Sequence, residues 1–354
     1  MKAPRCSFYF DLISKRQKGV FASFLRSILT VLSWLFGLGV FLRKSIYKKT
    51  YRPKAFTISI GNIVAGGTGK TPFTIFLAKQ LLQKHSVGVL IRGYKAEIEK
   101  TGDTFVFQKK APVVLVGDEA ALIAQNVPEA TLFCGKNKAA SAQVADEQKI
   151  DVLIVDDGMQ HIALKRDLEI VLLDSLNPFG YGHLLPRGLL REPVEALKRA
   201  DLIVLTCRNG IDVPESVSEV IRSNTKAPIC KVRFTPVGFF DLQNKPHKLP
   251  EGAKVGVMCA IAKPDQFVGT LAACGLDVVY SQFLDDHEKY TKQQLTQSAQ
   301  KAKAKGAVCL ICTEKDMVKL DPTVVLAIPI YWLKIEIDMM TPDVWQRFVA
   351  RHLT

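Results

Sequence analysis

The run GNIVAGGTGKTPFTIF, residues 61–76, constrains this chain more than any other stretch. A β-rich segment, residues 56–60, enters a cluster of glycines, and Lys70-Thr71 opens a helical stretch. Such a turn bares backbone N–H groups beside a helix N-terminus, and that combination attracts phosphate. A lysine directly after the last glycine reaches β- and γ-phosphates, and the next hydroxyl is suited to Mg2+. Gly66, Gly67, Thr68, Gly69, Lys70 and Thr71 are therefore expected to hold a nucleotide, with Thr71 also on the metal. The usual pattern, G-x-x-x-x-G-K-[ST], puts its first glycine where this chain has Val64. The choice is between a phosphate loop with one altered corner and a glycine-rich turn that contains Gly-Lys-Thr by chance. The flanking strand and helix favour the first.

The rest of the chain has a matching grammar. AFTISI, SVGVLI, DVLIVD, LEIVLLD and ADLIVLT are short, almost wholly apolar runs, as expected of parallel strands buried on both faces. Helical stretches such as TPFTIFLAKQLLQK and GDEAALIAQNV lie between several of them. The expected class is α/β, with a parallel sheet core of the P-loop NTPase kind. Near residue 225 the rhythm changes to PICKVRFTPVGFFDLQNKPHKLPEG, which reads as an extended, strand-like connection. A second, smaller α/β unit follows. The expected division is residues 1–54, a basic N-terminal segment; 55–225, the P-loop core; and 226–354, a C-terminal α/β domain.

A net charge of +14 suggests a nucleic-acid partner until it is located. Residues 1–54 hold twelve lysines and arginines and one acid, Asp11, so nearly all of the excess sits there and no nucleic-acid partner is expected. The same segment is the most apolar part of the chain. Its uncharged stretch, residues 27–42, covers about 24 Å as a helix, short of a bilayer's ~30 Å core. Ser23, Arg26, Thr30, Ser33, Gly37 and Lys44 draw one narrow polar stripe on it. Lys15, Arg16 and Lys18 precede it, and Arg43, Lys44, Lys48 and Lys49 follow. An amphipathic helix lying in an anionic membrane surface fits best. A single span and a helix packed on the protein's own core are the alternatives. The eight scattered cysteines read as buried thiols in a reducing compartment. Cys309 and Cys312 are three apart on a strand-like run, so they face opposite sides and a shared metal is not expected.

A magnesium-nucleotide site also needs a carboxylate at the end of a buried strand. DVLIVDDGMQH supplies Asp156, with Asp157 beside it and His161 further on. Adjacent acids are costly unless a cation compensates them, although Asp-Asp-Gly is also ordinary turn chemistry. Asp118 and Glu119 open a helical stretch, where they serve equally well as helix-terminal acids or as a catalytic pair. Arg187 and Arg191 in HLLPRGLLREP can clamp anionic oxygens or form surface ion pairs, and His287 is a ligand, a base or structural.

The segments GNIVAGGTGKTP, RGY, VGDE, DDGMQH, RDLEIVLLD, LLPRGLLREP, DHEKYT and TEKD occur in this order. Together they resemble the tetraacyldisaccharide 4′-kinases of lipid A biosynthesis, over roughly residues 20–320. In that family the first loop position is commonly not glycine, which favours a true nucleotide site despite Val64. The resemblance implies ATP and Mg2+. Lys70 and Thr71 would hold phosphates and metal, and Asp156, with Asp157 nearby, would be on the metal side. Asp118 would be the base for the sugar hydroxyl, with Asp157 as the other candidate and Glu119 close by. Tyr94, His161, Arg191 and His287 would line the site, His287 being brought over by the second domain. Four positions depart from the family pattern: Lys95 for a glycine, Leu189 for a proline, Ala260 for a glycine and Glu288 for a histidine. The implied reaction moves the ATP γ-phosphate to the 4′-hydroxyl of a lipid A disaccharide 1-phosphate. The protein would sit peripherally or monotopically on the cytoplasmic face of the bacterial inner membrane. The alternative is a membrane-associated regulatory ATPase of the deviant P-loop kind. Those carry a lysine just before the paired glycines, where this chain has Ala65.

Overall fold

The apolar runs pair as the βαβ pattern requires. The structure, a computed structural model, describes residues 7–46, 50–207 and 213–353. In chain order the strands are β1 (Phe56–Gly61), β2 (Val87–Ile91), β3 (Phe105–Phe107), β4 (Thr131–Cys134), β5 (Val152–Asp156), β6 (Leu168–Asp174), β7 (Leu202–Cys207), β8 (Ile229–Phe240), β9 (Pro246–His247), β10 (Lys254–Cys259), β11 (Asp277–Phe283), β12 (Cys309–Thr313) and β13 (Ile330–Met339). They form one sheet in the order β11-β10-β12-β13-β8-β7-β6-β1-β5-β2-β4-β3, with β9 paired to β8. Strands β2, β5, β6 and β7 are buried along their whole length, which is why their sequences show no alternation. The α/β class with a mainly parallel sheet is as the sequence implies.

The segment that reads as a connection after residue 225 is a 12-residue strand, β8, near the middle of the sheet. Its first five residues run parallel to β7. Its remainder extends past the end of β7 and pairs antiparallel with β13, whose first four residues run parallel to β12. Pro236 and Gly238 obscure it in the sequence, since proline cannot donate to a ladder and glycine weakens one. The ladder accommodates them with a register shift opposite Pro236, between Lys334 and Ile335. Because β8 and β13 are antiparallel and offset, the two parallel half-sheets point toward each other. Their strand carboxyl ends face one another across a cleft, and carboxyl ends are where open α/β sheets hold ligands.

The N-terminal helices sit to one side. The second, Val20–Ile46, has 27 residues, and its stretch Val20–Arg43 is long and apolar enough by composition to cross a membrane. The middle of its polar stripe, at Ser33 and Gly37, faces the protein, whereas Ser23 is exposed. Ser33 Oγ donates to the Leu184 carbonyl at 2.8 Å and accepts the Arg187 N–H at 2.9 Å. A Cβ on Gly37 would lie 2.9 Å from Leu184 Cδ1. Ser33 is buried, whereas Phe21, Phe24, Trp34, Leu35, Leu38 and Phe41 stand exposed. Lys48, Lys49 and the side chain of Lys44, counted in the basic flank, lie outside the described residues. Arg187 is not a clamp for anionic oxygens. It is buried, and its guanidinium donates to the Ile13 carbonyl at 3.1 Å, so it holds the first helix, Ser7–Ile13.

Candidate active site

The glycine-rich loop is held from both sides. Asn62 Nδ2 donates to Thr68 Oγ1 at 3.0 Å, both residues being buried. Gly66 and Gly69 have φ of 116° and 89°, the left-handed region that favours glycine. Gly69 precedes the helix Lys70–Leu81, and a Cβ on it would come within 2.4 Å of Phe234 Cζ on β8. A Cβ on Gly66 or Gly67 would meet nothing within 4 Å, so that face of the loop is open.

Val64 is the altered corner, and the structure gives it a different task. Its main chain bridges antiparallel to Leu190. Ala65 N–H donates to the Leu189 carbonyl at 2.7 Å, and Arg191 N–H donates to the Ile63 carbonyl at 2.7 Å. The Val64 side chain is buried in a cluster with Ile63, Met159 and Leu190. The first half of the loop is thereby fastened to the LLPRGLLRE segment, and the fastening delivers Arg191 to the site.

The two adjacent acids have different surroundings. Asp156 ends β5 and is buried, and Thr74 Oγ1 donates to its carboxylate at 3.0 Å. The buried Lys138 ammonium donates to the Asp156 carbonyl and to the Leu90 carbonyl. Burial, and then the charge of Glu119, push the Asp156 carboxyl up to about 6 in spite of Lys138 and Lys70. Asp157 turns away with a φ of 52°. It accepts from Arg191 Nη1 at 2.8 Å and faces Lys70 Nζ at 3.5 Å. Burial pushes it up, but these two cations prevail and hold it well below the usual carboxylate range. Arg191 also donates to Asn62 Oδ1 at 3.2 Å. Burial, followed by the Lys138 charge, brings His161 down to about 3, so its imidazole is neutral.

A second cluster forms across the cleft. Asp118 opens the helix Asp118–Asn126 and accepts the Glu119 N–H at 2.9 Å, as a helix-terminal acid does. The same carboxylate lies 3.0 and 3.1 Å from His287 Nδ1, which comes from the loop after β11. The Tyr94 ring meets the His287 ring edge-on at 5.3 Å. Burial raises the Asp118 carboxyl, but the His287 hydrogen bond and the charge of Lys315 outweigh it and hold the group low. Lys315 Nζ is 3.3 Å from His287 Nε2 and from Asp286 Oδ1, and 3.5 Å from Glu119 Oε1.

Lys70, Asp157 and Arg191 are thus brought together, as are Asp118, Glu119, Tyr94 and His287. Sequence reasoning missed Lys315, Lys138, Asn62 and the ion pair of Lys263 with Asp174 that joins the halves elsewhere. For Lys315 the signal was the TEKD run itself. Two of the departures make contacts of their own. Lys95, at a φ of 57° that would suit glycine, donates through Nζ to the Asp286 carbonyl at 3.3 Å, and Glu288 accepts the Asp285 N–H at 3.1 Å. Cys309 and Cys312 pack into different apolar clusters on opposite faces of β12. Among the described residues no group of three or more His, Cys, Asp or Glu is arranged to hold a metal.

Comparison with known proteins places the chain in a family. Residues 25–354 match the family described as tetraacyldisaccharide-1-P 4′-kinase. A tetraacyldisaccharide 4′-kinase of Geobacter sulfurreducens is 36% identical over 352 residues, spanning 95% of this chain and 96% of the relative. One from Halothermothrix orenii is 33% identical over 336 residues, 88% of each. A solved structure of LpxK from Aquifex aeolicus in complex with ATP superposes with a TM-score of 0.73 at 25% identity, covering 93% of this chain and all (100%) of that one. A match that runs from the N-terminal helix through both half-sheets leaves one conclusion: this chain is a member of the tetraacyldisaccharide 4′-kinase family.

Proposed function

We propose that this protein transfers the γ-phosphate of ATP to the 4′-hydroxyl of tetraacyldisaccharide 1-phosphate, with Asp118 as the general base. The observation that carries the base assignment is the Asp118–His287 hydrogen bond, which joins one residue from each half at the cleft. Asp118 is buried and orientated by an imidazole, with Lys319 no closer than 4.0 Å, whereas Asp157 is paired with both Lys70 and Arg191. Phosphoryl transfer asks for an in-line nucleophile and compensation of the phosphate charge. The acceptor hydroxyl gives its proton to Asp118 as its oxygen bonds to phosphorus and the bond to ADP breaks. Loop amides from Gly66 to Thr71 cradle the phosphates, and Lys70 and Arg191 offset their charge. Asp157 keeps both cations aimed at the cleft, Tyr94 and His161 line the walls, and Glu119 lies beside the base.

The oxygen donors present suit Mg2+, which keeps waters and phosphate oxygens and takes few protein ligands. Asp156 and Thr71 would hold it. A buried carboxyl raised to about 6 by burial and by Glu119 has an excess of negative charge that a divalent ion would relieve. When bound, the ion draws charge off the β- and γ-oxygens.

A lipid acceptor stays in its bilayer, since each buried CH2 is worth about 0.8 kcal/mol. The outward apolar face of Val20–Ile46 and the basic residues around it support attachment to an anionic membrane, on the cytoplasmic side where ATP is present. Family membership disfavours the regulatory-ATPase alternative. The test is acceptor-dependent ADP release by purified protein in mixed micelles. Asp118→Asn should lose about 10²- to 10⁴-fold in turnover with little change in the KM for ATP. Asp157→Asn should raise that KM. Equal loss in both parameters for Asp118→Asn would refute the base role.

A further inference from the structure

The TEKD run, Thr313 to Asp316, is singled out by the sequence yet has no part in the reaction as described so far. Each of its residues has a defined partner. Thr313 Oγ1 accepts the Asp316 N–H at 3.2 Å and starts the short helix Glu314–Met317. Glu314 accepts from Asn126 Nδ2 at 2.8 Å, on the helix that begins with Asp118. Asp316 is fully buried, accepts the Ala260 N–H at 3.1 Å and pairs with Lys319 Nζ at 2.8 Å. The run is anchored at three points, and the remaining residue, Lys315, points at the base pair.

We propose that Lys315 is a positioning residue that fixes the tautomer and orientation of His287, and through it the placing of the Asp118 carboxylate. The inference rests on Asp118 being the base. His287 Nδ1 faces a carboxylate, so it must carry a proton to donate. In a neutral ring Nε2 is then an acceptor, and an ammonium 3.3 Å away is the donor it requires. With Nε2 held by Lys315 and Nδ1 by Asp118, the ring has one tautomer and one orientation, and it holds the Asp118 carboxylate in place.

The surrounding charges are few. His287 is faced by Asp118, by Lys315, by Asp286 Oδ2 at 3.6 Å from Nε2, and by the Tyr94 ring. Lys315 engages the other Asp286 oxygen at 3.3 Å. Asp118 also has Lys319 at 4.0 Å, and Lys315 has Glu119 at 3.5 Å.

Removing Lys315 leaves the ring free to turn or change tautomer, and Asp118 loses a nearby cation that favours its ionised form. The acid limb of kcat/KM for the acceptor should therefore move to higher pH. The experiment measures that profile, with KM for ATP, for wild type and for Lys315→Met, Lys315→Arg and Asp118→Asn, each checked for folding by its thermal melt. The expected result is an upward move of about one pH unit in Lys315→Met, or about tenfold in rate on the acid limb. The basic limb and the KM for ATP should stay near wild type, and Lys315→Arg should recover most of the shift. If the methionine variant does not fold, Lys315→Gln takes its place and is read in the same way. An unmoved acid limb in a folded Lys315→Met protein overturns the proposal. So does a KM for ATP that rises as much as turnover falls, which marks a merely structural latch. If Asp118→Asn keeps its turnover, the base assignment itself fails and Lys315 has nothing to position.

Discussion

Replacing Val64 by glycine would restore the common phosphate-loop pattern, and the structure predicts that this damages the loop. The Val64 side chain is buried against Ile63, Met159 and Leu190, and its main chain bridges to Leu190. Losing that burial costs about 1.5–3 kcal/mol, and the added backbone freedom of glycine costs about 0.5–1 kcal/mol more. The docked state of residues 63–65 on 189–191 should weaken by about 2–4 kcal/mol. Two amides report it directly: Ala65 N–H, bonded to the Leu189 carbonyl, and Arg191 N–H, bonded to the Ile63 carbonyl. At 1.4 kcal/mol per decade, their hydrogen exchange should accelerate by roughly 30- to 1,000-fold, read by mass spectrometry of peptides covering both segments. Val64→Ala should fall between wild type and Val64→Gly. Because the same contact delivers Arg191, ATP affinity in Val64→Gly should drop with it. Exchange within about threefold of wild type, or tighter ATP binding, would refute the view that position 64 is a packing site.

Three other outcomes are expected. Gly69→Ala should lower the melting temperature, since its φ of 89° costs an L-residue about 1–2 kcal/mol and its Cβ would collide with Phe234; Gly67→Ala, with open space around it, should not. Glu169, buried on β6 and ion-paired to Arg166 at 2.6 Å, is raised from 4.5 to about 7 by burial, with the Arg166 charge opposing. The folded state thus holds its proton more tightly, so that contribution to stability is complete below pH about 4.5 and disappears as pH rises through about 7. Melting temperatures from pH 5 to 8 should show this dependence in wild type and lose it in Glu169→Gln. Replacing both Trp34 and Leu38, 70% and 53% exposed, by glutamate should weaken cosedimentation with anionic vesicles at least 100-fold, at about 1.5–3 kcal/mol per side chain, and leave ATP binding intact.

What the sequence made legible was local. Strands buried on both faces are continuous apolar runs, and a strand, glycines and Lys-Thr in succession have one good physical reading. What it hid depended on distant partners. The Asp118–Glu119 pair is as good a helix terminus as a catalytic pair until a histidine 169 residues away meets it. Arg187 and Arg191 look alike in LLPRGLLREP, but one is held by the Ile13 carbonyl and the other by Asp157 and Asn62. The carboxylates Asp156 and Asp157 are neighbours whose environments diverge because one ends a strand and the other takes a left-handed turn. Nor does any local pattern say that β8 and β13 will pair, since pairing between strands about 100 residues apart leaves no mark on either.

The inward side of Val20–Ile46 also bears on how the proposed membrane attachment should be studied. Ser33 and Gly37 are spent on the body of the protein, and the exposed Phe, Trp and Leu side chains are left to whatever surrounds the molecule. Held away from lipid, copies are expected to bury those ridges against one another, so a particle mass obtained in plain buffer would report shelter from water. Subunit counting is better done in nanodiscs, where each ridge would have its own cover.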